Sequence, residues 1–454
     1  MKKALKSIIG LWLVLFLVCV ASASAQQAKN VILLIGDGMG PNHVQAARLM
    51  KAHKNGVEPL AMDLVDYEPS LANTLNFFGK VTDSAAGATA LATGYKTANG
   101  NVSWRYDDAA APDGLLYSVF EPAEQLGKAT GIVTNVYLQD ATPGVWAAKW
   151  PSRNGSAIAL QQAEATYARV EVFLGSGRHY MLPKGKLGGG RTDGRNLIED
   201  MVKAGYLYVD TLDKLNAVDA AAMKGHSGLL GVFGSITTIE YVLDRDPDLQ
   251  HSPSLPEMAA KAIEVLKEDG EGFFLVIEGG AIDWMAHNRD IAGAIAETLE
   301  FDECVQLAYG FASGRDDTLV VVTADHETGA LDFNSANVDL EFLDGITRTT
   351  EFMWGLIHKG KMEIEDVMEN YAGITDLLPV EEQRIKDYGE GGMADVLSAR
   401  AGVTWGWSRS DNGSHTSREV QVYAFGPGQD LFIGGLNTDT GQSLFIAVSG
   451  LWLP

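Results

Sequence analysis

"NVILLIGDGMG", residues 30–40, joins five consecutive apolar residues, Val31 to Ile35, to a Gly-Asp-Gly turn. The run is too short for an independent helix and is rich in β-branched residues. It lacks the polar alternation of a half-exposed strand, so it reads as a strand buried on both faces, the pattern of a parallel sheet. Three further stretches repeat it: "TGIVTNVYLQDATPG" (130–144), "GFFLVIEGGAIDWMAH" (272–287) and "DTLVVVTADHETGA" (317–330). Helical stretches alternate with them, which predicts an α/β fold with a central, mostly parallel sheet and helices on both faces. Such sheets bind ligands at the carboxyl ends of their strands. Each of these ends carries acid or imidazole: Asp37, then Asp140, then Glu278 with Asp283 and His287, then Asp325 and His326.

The first 25 residues stand apart. Lys2, Lys3 and Lys6 precede an apolar stretch of about 14 residues, Ile8 to Ala21, and Ala23-Ser24-Ala25 follows as a small-residue cleavage site. Together they predict a secretory signal peptide over 1–25, a mature catalytic domain over 26–454, and a periplasmic or secreted protein. The stretch is short for a bilayer, and no later segment is long enough, so no membrane span is expected. Cleavage would leave Cys304 as the lone cysteine, without an intrachain disulfide. It would also remove three of the 35 basic residues and none of the 59 acidic ones, taking the net charge from −24 to −27. Nucleic acid is therefore not an expected partner. If the ligand is an anion, bound cations must attract it locally.

"VTDSAAGATALATG", residues 81–94, leaves almost no bulk around Ser84. Ser84 reads either as the N-cap of a helix over Ala85 to Ala92 or as a nucleophile at a helix start, where free N–H groups face an anion. A serine at its ordinary pKa needs an activator, and the sequence sets no histidine beside it. Asp283 and His287, at i and i+4, share one face of a helical turn and suit zinc. Asp325 and His326 reach one site only if the chain turns after Val322, as Thr328-Gly329 would allow. Asp37 alone reads equally as an Asp-Gly turn residue, since Pro41 spoils a dinucleotide fingerprint. His415, in "NGSHTS", reads most simply as an exposed loop histidine. Glu278 would be costly at the end of an apolar strand unless satisfied. "DRDPD" (244–248) lacks the glycine and terminal glutamate of a calcium loop and reads as a solvated turn. From Leu331 to about Thr404 the pattern becomes amphipathic and charged, which predicts an inserted helical subdomain over about 331–404.

Together, "IGDGMG", "TDSAAGATA", "QDATP" with Arg153 downstream, "IEGGAIDWMAH", "VTADHETGA" and "SHTS" resemble the alkaline phosphatases, in that family's order and over most of the mature chain. The resemblance implies the family's sheet with a crown-like insertion, and hydrolysis of small-molecule phosphate monoesters through a phosphoserine at Ser84. It implies one zinc ion on Asp283, His287 and His415, a second on Asp37, Asp325 and His326, and magnesium on Asp37, Thr142 and Glu278. Arg153 would grip the phosphoryl group, and homodimerisation is implied as well. Asp140 with Trp284, both expected to contact substrate, is a mixed combination for the family. Enterobacterial members pair that aspartate with a lysine after the zinc-ligand aspartate, and many others carry a histidine at the first position. A sulfatase of the same superfamily would need a C/S-x-P-x-R element, which "DSAAGA" lacks. A binding protein without chemistry would need no serine beside a two-metal site.

Overall fold

Fourteen strands occur among the described residues: β1 (Asn30–Gly36), β2 (Ser70–Asn73), β3 (Ala129–Tyr137), β4 (Val172–Ser176), β5 (Tyr206–Val209), β6 (Gly228–Val232), β7 (Phe273–Gly279), β8 (Thr318–Thr323), β9 (Glu327–Thr328), β10 (Leu331–Asp332), β11 (Thr404–Trp405), β12 (His415–Thr416), β13 (Val420–Phe425) and β14 (Gly435–Leu436). The structure is a computed structural model that describes residues 28–65, 68–106, 114–234, 238–246, 252–333, 336–406, 415–432 and 435–450. The expected signal peptide lies outside the described residues.

Ten strands form one sheet in the order β14-β2-β13-β8-β1-β7-β3-β4-β6-β5. The seven from β8 to β5 run parallel, and β13 lies antiparallel between β8 and β2. The apolar runs of the sequence are its central strands, and Val31 to Ile35 are fully buried. Their side chains have no solvated face because helices cover both sides of the sheet. Helices Pro41–Asn55, Leu255–Leu266 and Ile291–Ala312 pack together on one side; Ser84–Thr93, Phe120–Gln125 and Asn437–Ser449 pack together on the other.

Register brings the acidic strand ends together. Ile35 of β1 stands opposite Thr323 of β8 and Glu278 of β7, and Glu278 stands opposite Thr134 of β3. Asp37 and Asp325, each two residues further on, therefore leave neighbouring strands side by side. Close approach beyond the strands needs glycine. Gly38 has φ +70°, and a Cβ there would lie 2.6 Å from Asp283 Oδ1. At Gly87 a Cβ would lie 2.8 Å from the Asp325 carbonyl, so the Ser84 helix rests directly on the segment after β8.

Residues 331–404 hold helices Leu340–Asp344, Thr350–His358, Ile364–Ala372, Pro379–Tyr388 and Glu390–Arg400. Antiparallel pairing of β10 with β11 clips the two ends of this segment together. Its buried side chains, Met353, Val367, Met368, Ile385 and Leu397 among them, share a second core with Ala46, Met50, Ile291 and Ile295. Asp244 is not the solvated turn acid that its sequence suggests. Its carboxylate accepts hydrogen bonds from the Thr349 N–H (2.9 Å) and hydroxyl (2.6 Å), fixing the start of helix Thr350–His358.

Candidate active site

Ser84 is the first residue of its helix and not the N-cap. Asp83 takes that role, its Oδ1 accepting from Ala86 N at 3.0 Å and its Oδ2 from Gly100 N at 2.8 Å. The Ser84 hydroxyl is thereby spared from capping and turns into the site, where it donates to His326 Nε2 at 3.1 Å. That neighbour corrects the expectation of a serine without a histidine beside it, since 242 residues of chain separate the two. The helix ends at Gly94, left-handed at φ 71°.

Two clusters of ligand-type atoms adjoin Ser84: Asp283, His287 and His415 in one, and Asp37, Asp283 and His326 in the other. In the first, His287 Nε2 faces His415 Nε2 at 3.1 Å and Asp283 Oδ2 at 3.2 Å, and His415 Nε2 lies 3.6 Å from Asp283 Oδ1. In the second, His326 Nε2 is 3.4 Å from both Asp37 Oδ1 and Asp325 Oδ2. The rings of His326 and His415 stack at 3.7 Å between the clusters. His415 is thus largely buried at the site rather than an exposed loop residue; the pairing of β12 with β9 delivers it.

Hydrogen bonds on the far side of the rings fix their tautomers. A carbonyl only accepts, so His415 Nδ1–H donates to Thr82 O at 3.0 Å. Thr328 gives its one hydroxyl proton to Asp283 Oδ1, so at 3.2 Å it accepts from His326 Nδ1–H. Both Nε2 lone pairs are left facing inward, the orientation a metal ligand requires.

The carboxylates repel one another. Burial, reinforced by Asp325, Asp283, Glu278 and Asp140, pushes the Asp37 carboxyl well above its ordinary range. Burial, opposed by a Thr134 hydrogen bond and reinforced by Asp140, Asp325 and Asp283, raises Glu278 similarly. Burial, with Asp283 adding to it, raises Asp325 to about 7. Asp283 goes the other way: burial would raise it, but His287, His415 and His326 hold it far below the usual range. Asp37 Oδ1 and both Glu278 oxygens are buried without a hydrogen bond of ordinary geometry. A concentrated, under-satisfied set of carboxylate oxygens and inward imidazoles is what divalent cations neutralise, so these residues fit metal ions. Thr142 adds a hydroxyl, donating to Asp37 Oδ2 at 3.1 Å and lying 3.4 Å from Asp325 Oδ2.

Arg153 reaches the same place. Its Nη2 donates to Asp140 Oδ1 at 2.6 Å, and that oxygen also accepts from Ala141 N at 2.7 Å. Asp140 therefore both caps the turn carrying Thr142 and anchors the guanidinium. Ser84, Arg153, Asp283, His287 and His415 open into a cleft of ≈ 500 Å³ that Trp284 also lines. All twelve side chains singled out in the sequence come together here. The residues that sequence reading missed are Thr82, Asp83 and Thr328, together with Tyr241 and Glu351 on the cleft wall. Thr328 drew notice only as a turn residue, because its bond to Asp283, 45 residues away, depends on tertiary approach.

The sequence matches the family described as Alkaline phosphatase over residues 28–449. The chain belongs to the alkaline phosphatase family. It is similar to alkaline phosphatase 4 of Bacillus subtilis, 34% identical over 453 residues that cover 94% of this chain and 90% of that one. Its likeness to the alkaline phosphatase of Escherichia coli, also 34% identical, covers 67% of this chain and 71% of that one. Among solved structures, Thermus thermophilus alkaline phosphatase superposes with a TM-score of 0.82 at 25% identity, over 95% of this chain and 93% of that one. The cold-active alkaline phosphatase of a Shewanella species gives 0.77 at 26%, over 92% and 99%. Membership makes the chain a hydrolase of phosphate monoesters in a metal-dependent family. Among the described residues no helix is long and apolar enough to cross a membrane.

Proposed function

We propose that the chain hydrolyses phosphate monoesters through a phosphoserine at Ser84, in a site built for two zinc ions and one magnesium ion. Asp283, His287 and His415 would hold one zinc, Asp37, Asp325 and His326 the other, and Asp37, Thr142 and Glu278 the magnesium. The observation that carries this reading is the convergence of those side chains around Ser84, with Asp37 Oδ1 and both Glu278 oxygens buried without a hydrogen bond of ordinary geometry. Imidazole with carboxylate suits zinc, and the oxygen-only set suits magnesium. When bound, such cations supply Lewis-acid stabilisation of the attacking and leaving oxygens in an in-line displacement.

The chain's own residues do the rest. Asp83 keeps the Ser84 hydroxyl free by capping the helix itself. Ser84 Oγ bonds to phosphorus as the bond to the alcohol oxygen breaks, and the alcohol leaves with a proton. Water then cleaves the seryl phosphate, restoring the hydroxyl and releasing inorganic phosphate. Arg153, steadied by Asp140, offers a forked pair of donors to the phosphoryl oxygens. Trp284 and Asp140 bound the substrate space. On the same reading residues 331–404 are an inserted, crown-like subdomain, the protein is exported after loss of residues 1–25, and it functions as a homodimer.

The test strips the purified protein of metal and follows turnover of a chromogenic aryl monoester as zinc and magnesium are restored. Labelled phosphoenzyme is trapped at acid pH in wild type and Ser84→Ala. Recovery with zinc plus magnesium should exceed recovery with magnesium alone, and the variant should not label. Full activity without metal, or wild-type labelling of the variant, would overturn the reading.

A further inference from the structure

The cleft in front of Ser84 has walls of two chemical kinds. At its floor stand the metal-type ligands and Arg153, the place for a phosphoryl dianion. Tyr241, Trp284 and Glu351 line it as well. Trp284 packs against a small cluster containing Tyr241, Ala281 and Met285, so both rings are anchored on the helix that carries Asp283 and His287.

Glu351 comes from helix Thr350–His358, in its first turn, where the helix dipole favours a carboxylate. The position is rigid. Asp244 holds Thr349 by two hydrogen bonds, and Asp290 Oδ2 accepts from Thr350 N at 2.6 Å. Burial and the neighbouring Asp244 raise the Glu351 carboxyl above its ordinary value, and a Tyr241 hydrogen bond to the charged form opposes them. The cleft is thus lined by a carboxylate and two aromatic side chains as well as by the groups that would hold an anion.

We propose that Glu351, with Tyr241 and Trp284, forms a subsite for the leaving group, selecting phosphate monoesters of alcohols that carry an ammonium group. An ammonium held between a carboxylate and aromatic rings gains an ion pair and cation–π attraction together. An anionic leaving group meets repulsion from the same side chain. This inference rests on the monoesterase reading above and extends it to the alcohol.

Choline phosphate and 3,3-dimethylbutyl phosphate have nearly the same shape and differ by one positive charge. The experiment compares kcat/KM for the two with the zinc- and magnesium-loaded protein, in wild type and in Glu351→Gln. Intrinsic differences between the two leaving alcohols cancel when the ratio in wild type is divided by the ratio in the variant. That quotient should be about 3- to 10-fold in favour of the cation, expressed mainly in KM. It should shrink toward one at about 0.5 M salt, and Glu351→Lys should push the preference below that of the glutamine variant. A quotient of one at low salt, or a lysine variant equal to wild type, would overturn the subsite while leaving the monoesterase reading intact. Failure to hydrolyse either ester would overturn both.

Discussion

Thr328→Val tests whether the outer hydrogen bonds set the metal centre. Valine nearly keeps the shape of threonine but has no hydroxyl, so the bond to Asp283 Oδ1 and the acceptor for His326 Nδ1–H vanish together. Thr328 and His326 are fully buried, so water does not replace the lost partner, and an unsatisfied donor there costs about 1–3 kcal/mol. The released imidazole can rotate or change tautomer, and Asp283 loses one of the restraints on a carboxylate shared by both clusters. Loss of such an outer partner typically weakens metal binding about 10- to 100-fold. Because one hydroxyl serves residues of both clusters, zinc affinity should fall at both sites. Titrating metal-free protein with zinc against a chromophoric chelator measures this directly, and Thr328→Ser should return affinity to within about threefold of wild type. Affinity in the valine variant within twofold of wild type at both sites would refute the reasoning.

Two further outcomes are expected. Arg153→Ala should lower kcat/KM for an aryl monoester by at least about 10- to 150-fold, since each of its two charge-assisted hydrogen bonds is worth roughly 1.5–3 kcal/mol. It should also narrow the gap to a matched diester, which has one fewer charged oxygen to offer; an unchanged gap would remove Arg153 from the discrimination. Burial, with Glu300 nearby, raises Glu297 to about 8, although Val242 N and Asn135 Nδ2 donate to it at 2.8 and 3.1 Å. The folded state then keeps a proton that the unfolded chain releases near its ordinary value of 4.5, so this contribution is present below that pH and is lost as pH rises to about 8. Thermal midpoints of metal-saturated Glu297→Gln across that range should decline less steeply than those of wild type, and parallel curves would refute the assignment.

The central sheet was legible because strands buried on both faces must be apolar throughout, and four such runs stand plainly in the sequence. The acids at their ends were legible for the same reason, since a polar side chain after an apolar run is conspicuous. What escaped was set by tertiary approach. Asp83 and Ser84 are both good N-caps in isolation, and the second bond that holds the Asp83 carboxylate, from Gly100 N, comes from a later loop. His415 looked like a loop histidine because its neighbours are polar; the two-residue pairing with β9 that buries it leaves no periodic trace. Asp244 looked solvated because its partner, Thr349, is 105 residues away. Glu351 sits in an ordinary amphipathic helix, and nothing in its local sequence says that this helix opens onto the cleft.

The pairing of β12 with β9 makes the centre depend on a segment that follows its other residues in the chain. His415↔Thr328 and Thr416↔Glu327 are its residue pairs, and they come just before β13, which lies antiparallel against β8. Every other side chain of the two clusters lies at or before His326 in the chain. β1, β7 and β8 therefore bring their crowded acids together without help from the last imidazole. The cup that neutralises those acids closes only when β12 docks on β9, so this two-residue pairing and the binding of cations are linked and each stabilises the other.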